Sequence, residues 1–463
     1  MAPRPFSKRG NADTPRQDEG ARREPFLRRI VNAWWERLFV LLFGRAPLDS
    51  LASMYSPGKT GHDYVWNTIG QTMWGATLPV LTIIATQLAG ATEAGRFNLA
   101  FTIATLLLFV ANYGVRTYQV SDIDEMESFG AYQVQRIMTC MIMLAAGAAY
   151  CTARGYDADM SLIAAGAFGY RAIDALADVY EGRLQQMDKL YLSGISVSLR
   201  VAIPLATFTG LLLTTSSLPT ASIGLAVAEL AVFLLVSLPL ALLETPVSRK
   251  WEMLEVREIF VECFPAFAAM FLFNLIETMP KFAMEGVLPY EDQVYFSAIY
   301  FPAQTALMIV GFIYKPQLVR LAGLWQDTTR RGRFDLIVAG MLGACVIVTL
   351  GLLAFMSVVG IPLSSILYGT DFERFRTAQY LMLAAGGLAA AIDFLFQILT
   401  VLREQATAQR LYLLAFVFVT VASTIMIRAT GFMGAVHAYL AVMVLLFVLL
   451  MLQYAVVRVR NRS

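Results

Sequence analysis

The stretch FNLAFTIATLLLFVANYGVRTYQV, residues 97–120, is apolar enough to lie in a lipid bilayer. Polar residues nevertheless recur along it at steps of four, three, seven and four: Asn98, Thr102, Thr105, Asn112 and Arg116. Such steps put side chains on one face of an α-helix. The stretch therefore predicts a membrane helix with a polar face and a cation at its end. That face either lines a watery lumen or forms hydrogen bonds with neighbouring helices.

The composition of the whole chain points to a membrane protein. Of its 463 residues, 57% are hydrophobic and 15% are charged, against about 25% charged in a soluble domain. Apolar runs of about 20 residues, the length that crosses a bilayer as a helix, repeat after residue 60. We predict an all-α membrane protein with about twelve transmembrane helices, at residues 63–88, 94–118, 133–153, 159–180, 190–213, 219–243, 257–283, 293–318, 335–359, 377–400, 410–428 and 432–456.

Lysine and arginine are unevenly divided between the two sides of this topology. Of the 36, 28 fall on the side that holds the N-terminal tail and the last residues, and six on the other side. Loops rich in Lys and Arg stay in the cytoplasm. The distribution predicts a multi-pass protein with both termini cytoplasmic.

The residues before the first span predict two further segments. Residues 1–25 are polar and Arg-rich, which is typical of a disordered cytoplasmic tail. Residues 26–60 combine tryptophans, basic residues and apolar side chains, and predict an interfacial amphipathic helix and a linker. The four cysteines fall in or at the ends of spans, where we expect small, reduced core residues.

The sequence also indicates an internal repeat. A shift of 199 residues places Asn98 on Ser297, Thr105 on Gln304 and Arg116 on Lys315. We therefore predict two six-helix lobes, an N-lobe at 61–245 and a C-lobe at 246–463 that ends in a short cytoplasmic tail. Because six is even, the two lobes have the same orientation and form a parallel pseudo-repeat. In transporters of this design, rocking of the lobes exposes a central cleft to alternate sides.

Several charged residues fall inside predicted spans. Insertion scales assign about 2.5–3.5 kcal/mol to each ionised residue at a helix centre, so these groups must face protein or water, and some must pair. Helical spacing predicts two pairs, Arg171 with Asp174 and Glu277 with Lys281. Asp174 and Asp178 are also one turn apart, and unless a cation lies between them, one of them should hold a proton. We take three acids as coupling-ion candidates, Asp174, Asp178 and Glu229.

The intramembrane cations suggest the charge of a cargo. If they converge, Arg116, Arg171, Arg200, Lys281 and Lys315 form an electropositive lumen, to which Asn98, Asn112 and Gln304 add polar contacts. Such a lumen favours an anion, and arginine suits phosphate because it binds in a bidentate way. Alternatively the pairs only neutralise each other, and Arg116 and Lys315 extend to the cytoplasmic interface.

The sequence shows no sign of catalysis or of a cofactor. It has no GxxxxGK[ST] loop, and its two histidines, His62 and His437, are far apart. The longest outer connection, residues 361–376, is too short to house a catalytic domain. We therefore expect a transporter without a metal, a cofactor or a nucleic-acid partner.

The stretch GRFNLAFTIATLLLFVANYGVRTYQV, residues 95–120, resembles the second span of bacterial polysaccharide-export proteins of the multidrug/oligosaccharidyl-lipid/polysaccharide (MOP) superfamily. The resemblance lies in a Gly-x-aromatic start, an apolar helix and an Asn-aromatic-Gly end. It implies a MATE-like, V-shaped bundle in the bacterial inner membrane. It also implies a Wzx-like flippase that moves O-antigen or capsule repeat units on undecaprenyl pyrophosphate to the outer leaflet. Glycan polymerases and glycosyltransferases are then the expected partners, besides membrane lipids.

Other readings of the sequence stay open. A cation-coupled small-molecule exporter of the same superfamily would bind its substrate mainly with acids. A membrane polymerase or ligase acting on the same glycolipid would need catalytic residues in its outer loops. A flippase for the peptidoglycan precursor lipid II would share most features described above.

Overall fold

The computed structural model describes residues 60–122, 125–245, 251–315, 318–326 and 331–460. The predicted tail, 1–25, and the interfacial segment up to residue 59 lie outside the described residues. Within the described residues the chain forms twelve long helices, numbered in chain order: α1 (Thr60–Ala89), α2 (Ala91–Ser121), α3 (Phe129–Arg154), α4 (Ala158–Gln186), α5 (Leu190–Thr215), α6 (Leu218–Glu244), α7 (Met253–Met284), α8 (Glu291–Tyr314), α9 (Arg331–Tyr368), α10 (Phe372–Val401), α11 (Gln405–Thr430) and α12 (Phe432–Arg460). A short helix, Leu318–Gln326, connects α8 to α9.

Length and composition make most of these helices suitable for a bilayer. Among the described residues, eleven helices are long and apolar enough to cross a membrane. The exception is α4, which spans 29 residues but carries Arg171, Asp174, Asp178 and Glu181. The predicted all-α fold of about twelve transmembrane helices is confirmed.

Local sequence signals start and end several helices. The side chains of Ser128, Asp157 and Ser217 each accept a hydrogen bond from a backbone N–H in the first turn of α3, α4 and α6. At the other end of α3, Gly155 adopts a left-handed conformation with φ 64°, which glycine tolerates without a steric penalty.

The opening stretch does not form the uninterrupted helix that its periodicity predicts. The α-helical hydrogen bonding of α2 stops at Asn112 and resumes at Val115. Between them, Tyr113 and Gly114 are both left-handed, with φ of 50° and 69°. The ring of Tyr113 stacks on Phe267 of α7, with centroids 4.4 Å apart. The Asn-Tyr-Gly sequence is therefore a break in α2, and Arg116 lies on a different helical segment from Asn98.

The helices of the first half have the same neighbours as those of the second half. In the first half α1 packs on α5, α2 on α4, and α6 on both α4 and α5. In the second half α7 packs on α11, α8 on α10, and α12 on both α10 and α11. Each pair in one half thus corresponds to a pair six helices later, as a parallel repeat requires.

The two halves meet along α2, α7 and α8, which we call the seam. At one point Ser297 of α8 donates a hydrogen bond of 2.7 Å to Asn98 of α2. These two residues are 199 positions apart, which is the shift that relates the halves. Equivalent residues contact each other only close to a two-fold axis, so the pseudo-axis passes near this bond.

Several helices approach each other closely at glycine. A Cβ atom on Gly194 of α5 would lie 2.4 Å from the backbone of Trp66 in α1. A Cβ atom on Gly166 of α4 would lie 2.4 Å from the backbone of Ser222 in α6. Since backbone atoms cannot rotate aside, the separation of these helices depends on the missing side chain.

Replacement of Gly194 by alanine is expected to destabilise the first half. The added methyl group would push α5 away from α1 and reduce the free energy of unfolding by about 1–3 kcal/mol. The measurement is denaturant unfolding of the purified chain in detergent. The matched control is Gly210→Ala on the same helix, where a Cβ atom meets nothing within 4 Å. Equal stability of the two variants would contradict the close contact.

Candidate functional site

The first half contains a polar cavity of about 340 Å³ between α1, α2, α4 and α5. Its uncharged lining includes Asn67 and Gln71 of α1, Asn112 of α2 and Gln185 of α4, together with the indole of Trp74. Asn67 lies near the start of α1 and Gln185 near the end of α4. The Lys and Arg distribution places both of these helix ends on the predicted cytoplasmic side. The cavity therefore faces the predicted cytoplasmic side.

Arg200 of α5 is the centre of a buried charge network beside this cavity. Its Nε and Nη2 donate to the two carboxylate oxygens of Glu181, each at 3.0 Å. Its Nη1 donates to Asp174 at 2.7 Å and to Glu229 at 2.6 Å. All four residues are at most 5% exposed. The fork of donors on one guanidinium thus joins acids from α4 and α6.

Arg171 extends the network along α4. Its Nη1 donates to Asp174 at 2.9 Å, so the predicted pair of these two residues is confirmed. Trp74 of α1 donates its indole N–H to the same carboxylate at 2.8 Å. The guanidinium of Arg171 also lies over the rings of Trp74 and Phe101, at 5.1 and 4.6 Å from their centroids. Such contacts stabilise a cation that is removed from water.

Two further arginines contact Asp178 at the predicted cytoplasmic end of the cavity. Arg116 donates to it at 2.7 Å and Arg136 of α3 at 3.1 Å. Arg136 also donates to the amide oxygen of Asn112. Arg136 is buried, although the Lys and Arg distribution places it near the predicted cytoplasmic side. The position of Arg136 inside the predicted span 133–153 indicates this burial from the sequence.

These contacts correct the expectation of an electropositive lumen. Four arginines, Arg116, Arg136, Arg171 and Arg200, are paired with four acids, Asp174, Asp178, Glu181 and Glu229. The formal charges of this group cancel. In a medium of low dielectric constant an unpaired charge is too costly, so the network forms within the protein. The coupling-ion role of Asp174, Asp178 and Glu229 stays a prediction, but every one of them has an arginine partner.

The predicted cations of the second half lie elsewhere. Lys281 of α7 is 4% exposed and its Nζ donates to Thr102 of α2 at 3.2 Å across the seam. Its ammonium group also lies over the ring of Tyr300, 5.5 Å from the centroid. Lys315 is exposed at the end of α8. The five predicted cations therefore do not converge on one lumen.

The predicted pair of Glu277 with Lys281 is wrong. Glu277 points into the second half, where it accepts hydrogen bonds from Gln304 at 3.0 Å and from Tyr439 at 3.1 Å. Lys281 points towards α2 instead. The spacing of four residues places both side chains on one helix face. It does not show that Glu277 bonds to Gln304 and Tyr439 while Lys281 bonds to Thr102.

The predicted polar face of α2 is packed against other helices in its first part, from Asn98 to Thr105, whereas Asn112 and Arg116 line the cavity. Asn98 donates to Thr82 of α1 at 3.0 Å and accepts from Ser297. Thr105 accepts from Arg171 at 3.3 Å. These side chains therefore form hydrogen bonds with neighbouring helices, as the second of the two interpretations of the polar face expects.

The two halves are tied together at the end predicted to face outwards. Glu285, in the turn after α7, is 8% exposed. Its carboxylate accepts from Tyr150 at 2.5 Å, from Tyr156 at 2.6 Å and from Arg154 at 3.0 Å, all in the first half. Nearby, Gln87 donates to the carbonyl oxygen of Leu367 at 2.7 Å. This end of the seam is therefore closed.

Replacement of Arg200 by methionine is expected to be strongly destabilising. Three buried acids would lose their shared cation, and the free energy of unfolding in detergent should fall by about 3–5 kcal/mol. Arg376→Met is the control, because Arg376 pairs with Glu373 on an exposed surface and its loss should not be measurable. If both variants unfold alike, Arg200 does not hold the network together.

Replacement of Glu285 by alanine is expected to open the outer end of the seam. Tyr150, Arg154 and Tyr156 would lose their common acceptor. The measurement is the distance between nitroxide labels at Thr92→Cys and Val287→Cys, in a chain whose native cysteines are replaced by alanine. We expect a longer or broader distribution, whereas the control Glu373→Ala should leave it unchanged. An unchanged distribution in Glu285→Ala would show that the other contacts suffice.

Comparison with known proteins supports the fold only. No family model and no curated protein sequence matches the chain. Among solved structures, the inward-facing form of a multidrug-resistance MATE transporter of the MOP superfamily is similar, with a TM-score of 0.61 and 11% identity over 86% of this chain and 99% of that one. Its outward-facing form gives a TM-score of 0.57, with 11% identity over 86% and 95%. A MOP superfamily transporter from Pyrococcus furiosus, described as having a binding pocket of reverse polarity, gives 0.54, with 11% identity over 86% and 94%. The fold is therefore that of the MATE and MOP transporters.

Proposed function

We propose that the chain is a flippase for an anionic, lipid-linked oligosaccharide. In this proposal it moves undecaprenyl-pyrophosphate-linked repeat units, of the O-antigen or capsule type, from the inner to the outer leaflet of a bacterial plasma membrane. The fold of the MOP transporters and the resemblance of residues 95–120 to polysaccharide-export proteins support this function. Rocking of the two halves about the seam would expose the cargo site to one side and then to the other.

Lys281 is the observation that carries the proposal. Five lysines and arginines are buried in the described part of the chain, and four of them have a carboxylate partner: Arg136, Arg171, Arg183 and Arg200. Lys281 has only the hydroxyl of Thr102 and the ring of Tyr300. A buried ammonium group without a counter-charge is unfavourable in a bilayer and marks a candidate site. An anionic cargo such as a pyrophosphate would supply the missing charge when the seam opens.

The surroundings of Lys281 suit a sugar–phosphate cargo. Hydroxyl and amide groups follow the seam on both sides, from Asn98 and Thr102 of α2 to Ser297 and Gln304 of α8. When the halves separate, Ser297 loses its bond to Asn98 and Thr102 loses its bond from Lys281. These groups then become available to sugar hydroxyls. The polyprenyl tail would stay in the lipid beside the seam.

The contacts at the two ends of the molecule suggest the loading side. The outer end is closed around Glu285, and the polar cavity of the first half faces the predicted cytoplasmic side. We propose that the head group of the cargo enters from the cytoplasm when the halves separate at that end. The cytoplasmic location of both termini, and any docking of glycan polymerases or glycosyltransferases, are part of this proposal.

One observation favours a second function, export of small organic cations coupled to an ion. Three acids but only two arginines line the cavity, namely Asp174, Asp178, Glu181, Arg116 and Arg200. A cationic substrate could exchange for an arginine in this network. This function does not explain Lys281, which would repel a cation at the seam.

Replacement of Lys281 by methionine is expected to slow transport of the glycolipid at least about tenfold, as loss of a charge-assisted contact of about 1.5–3 kcal/mol implies. The measurement uses proteoliposomes with fluorescent polyprenyl-pyrophosphate oligosaccharide and a quencher that reaches one leaflet. Lys281→Arg keeps the charge and should retain more activity. The control Lys315→Met removes an exposed lysine and should leave the rate unchanged.

The same vesicles separate the two functions. If wild-type protein moves the glycolipid and Lys281→Met matches it, Lys281 is not the anion site. If wild-type protein moves ethidium but not the glycolipid, the exporter function is correct and the flippase proposal fails.

A further inference from the structure

The halves also touch at the opposite end of the seam, in a contact that the transport site does not include. There the residues just before α3 pack against the first turns of α7. Ser128 donates to the carboxylate of Glu255 at 2.5 Å. Below this bond, Phe129 of the first half and Val256 and Ile259 of the second belong to one buried apolar cluster. This contact joins the halves at the predicted cytoplasmic end.

Glu127 lies inside this contact without a positive partner. Its side chain is 7% exposed, and its Oε2 atom has no hydrogen-bond donor among the described residues. Its carboxyl group lies within hydrogen-bonding reach of the carboxyl group of Glu258 on α7. Glu255 and Asp122 are the other charged groups that act most strongly on it. These neighbours are all acids, so among the described residues they leave a negative charge on Glu127 uncompensated.

The acids around Glu127 are already engaged with other donors. Asp122 accepts from the backbone N–H of Met126 and of Glu127 and from the hydroxyl of Tyr132, at 2.8, 3.1 and 3.1 Å. Glu255 accepts from Ser128. The phenol of Tyr118 also faces this region, but tyrosine is neutral at ordinary pH. Within the part of the chain that the structure describes, these groups therefore leave the Glu127–Glu258 pair without a donor for its own bond.

Two ionised carboxylates cannot hydrogen-bond to each other, because both are only acceptors. One proton between them turns repulsion into a bond, as in other carboxyl pairs that share a site. We propose that the carboxyl pair of Glu127 and Glu258 takes up one proton when the halves meet at this end, and that this proton holds the contact closed.

The pKa of Glu127 agrees with this geometry. Burial, followed by the charges of Glu258 and Glu255, raises the pKa of Glu127 from its usual range to about 7. When the halves separate, the carboxyl group returns to water and its pKa falls to the ordinary range. The closed contact thus binds the proton more tightly than the open one. The contact is strongest below the ordinary pKa of glutamate, weakens as the pH rises towards about 7, and is weakest above it.

The pair is also accessible to protons. Glu258 is exposed, so water at the predicted cytoplasmic side can deliver and remove the proton. Asp174, Asp178 and Glu229 differ from this pair because each of them is bonded to an arginine. The inference does not depend on the cargo, and it holds for a flippase and for an exporter alike.

The test measures closure of this contact as a function of pH. Nitroxide labels at Ser121→Cys and Met253→Cys, in the full chain without its native cysteines, report the distance across the contact in lipid nanodiscs. Between about pH 5 and about pH 9 we expect the ratio of closed to open populations to fall at least about threefold, with a midpoint near the pKa of about 7.

Substitutions identify the group that titrates. In Glu127→Gln the side-chain amide donates to Glu258, so the contact should stay closed at every pH. In Glu258→Gln the amide donates to Glu127, and we expect the same result. The control Glu262→Gln, one turn further along α7, should titrate like wild-type protein. A wild-type distance that does not change with pH would overturn the proposal, and so would a Glu127→Gln variant that titrates normally. Infrared detection of a protonated carboxyl group that disappears in Glu127→Gln provides an independent readout.

Discussion

The need to compensate buried charge in a medium of low dielectric constant governs this structure. Removing an ion from water costs several kcal/mol, and a partner of opposite charge must offset that cost. Arg200 meets this requirement for Asp174, Glu181 and Glu229 at once, because its guanidinium presents donors in several directions. The network fixes α5 against α4 and α6, so the first half has a polar interior that its apolar helices alone would not form. The second half has a different interior, in which Glu277 is surrounded by amide and phenol groups.

The seam between the halves combines near-symmetry with differences that matter for function. The Asn98–Ser297 bond joins equivalent residues, which shows that both halves contribute the same helix to the contact. Away from this bond the two halves diverge. Lys281 crosses the seam to the first half, and the outer closure relies on Glu285 from the second half. A cargo at the seam would therefore meet two different walls, with the uncompensated cation on one side.

Much of the fold could be predicted from the sequence, because hydrophobic length and the Lys and Arg distribution are properties of the chain alone. The positions of the long helices and the Arg171–Asp174 pair needed nothing more. The break at Tyr113 could not be predicted from periodicity, because a left-handed residue interrupts a helix without changing its apolar pattern. The direction of Lys281 and the burial of Arg136 depend on partners from other helices, such as Thr102 and Asp178. The sequence identifies Arg171 and Arg200 as cations within long apolar helices. Their neutralisation by acids such as Glu181 depends on tertiary contacts that spacing within one helix does not contain.

The charges of α4 have a consequence for how the chain enters the membrane during synthesis. This helix carries six Asp, Glu and Arg residues, four of them between positions 171 and 181. An ionised residue adds about 2.5–3.5 kcal/mol to the apparent insertion free energy near the bilayer centre. Its main counter-charge, Arg200, belongs to α5, and Glu229 belongs to α6. We therefore expect α4 to stay at the translocon until α5 has been translated. Because Asp178 is paired with Arg116 of α2 and Arg136 of α3, these two helices must also stay close for the group to become neutral.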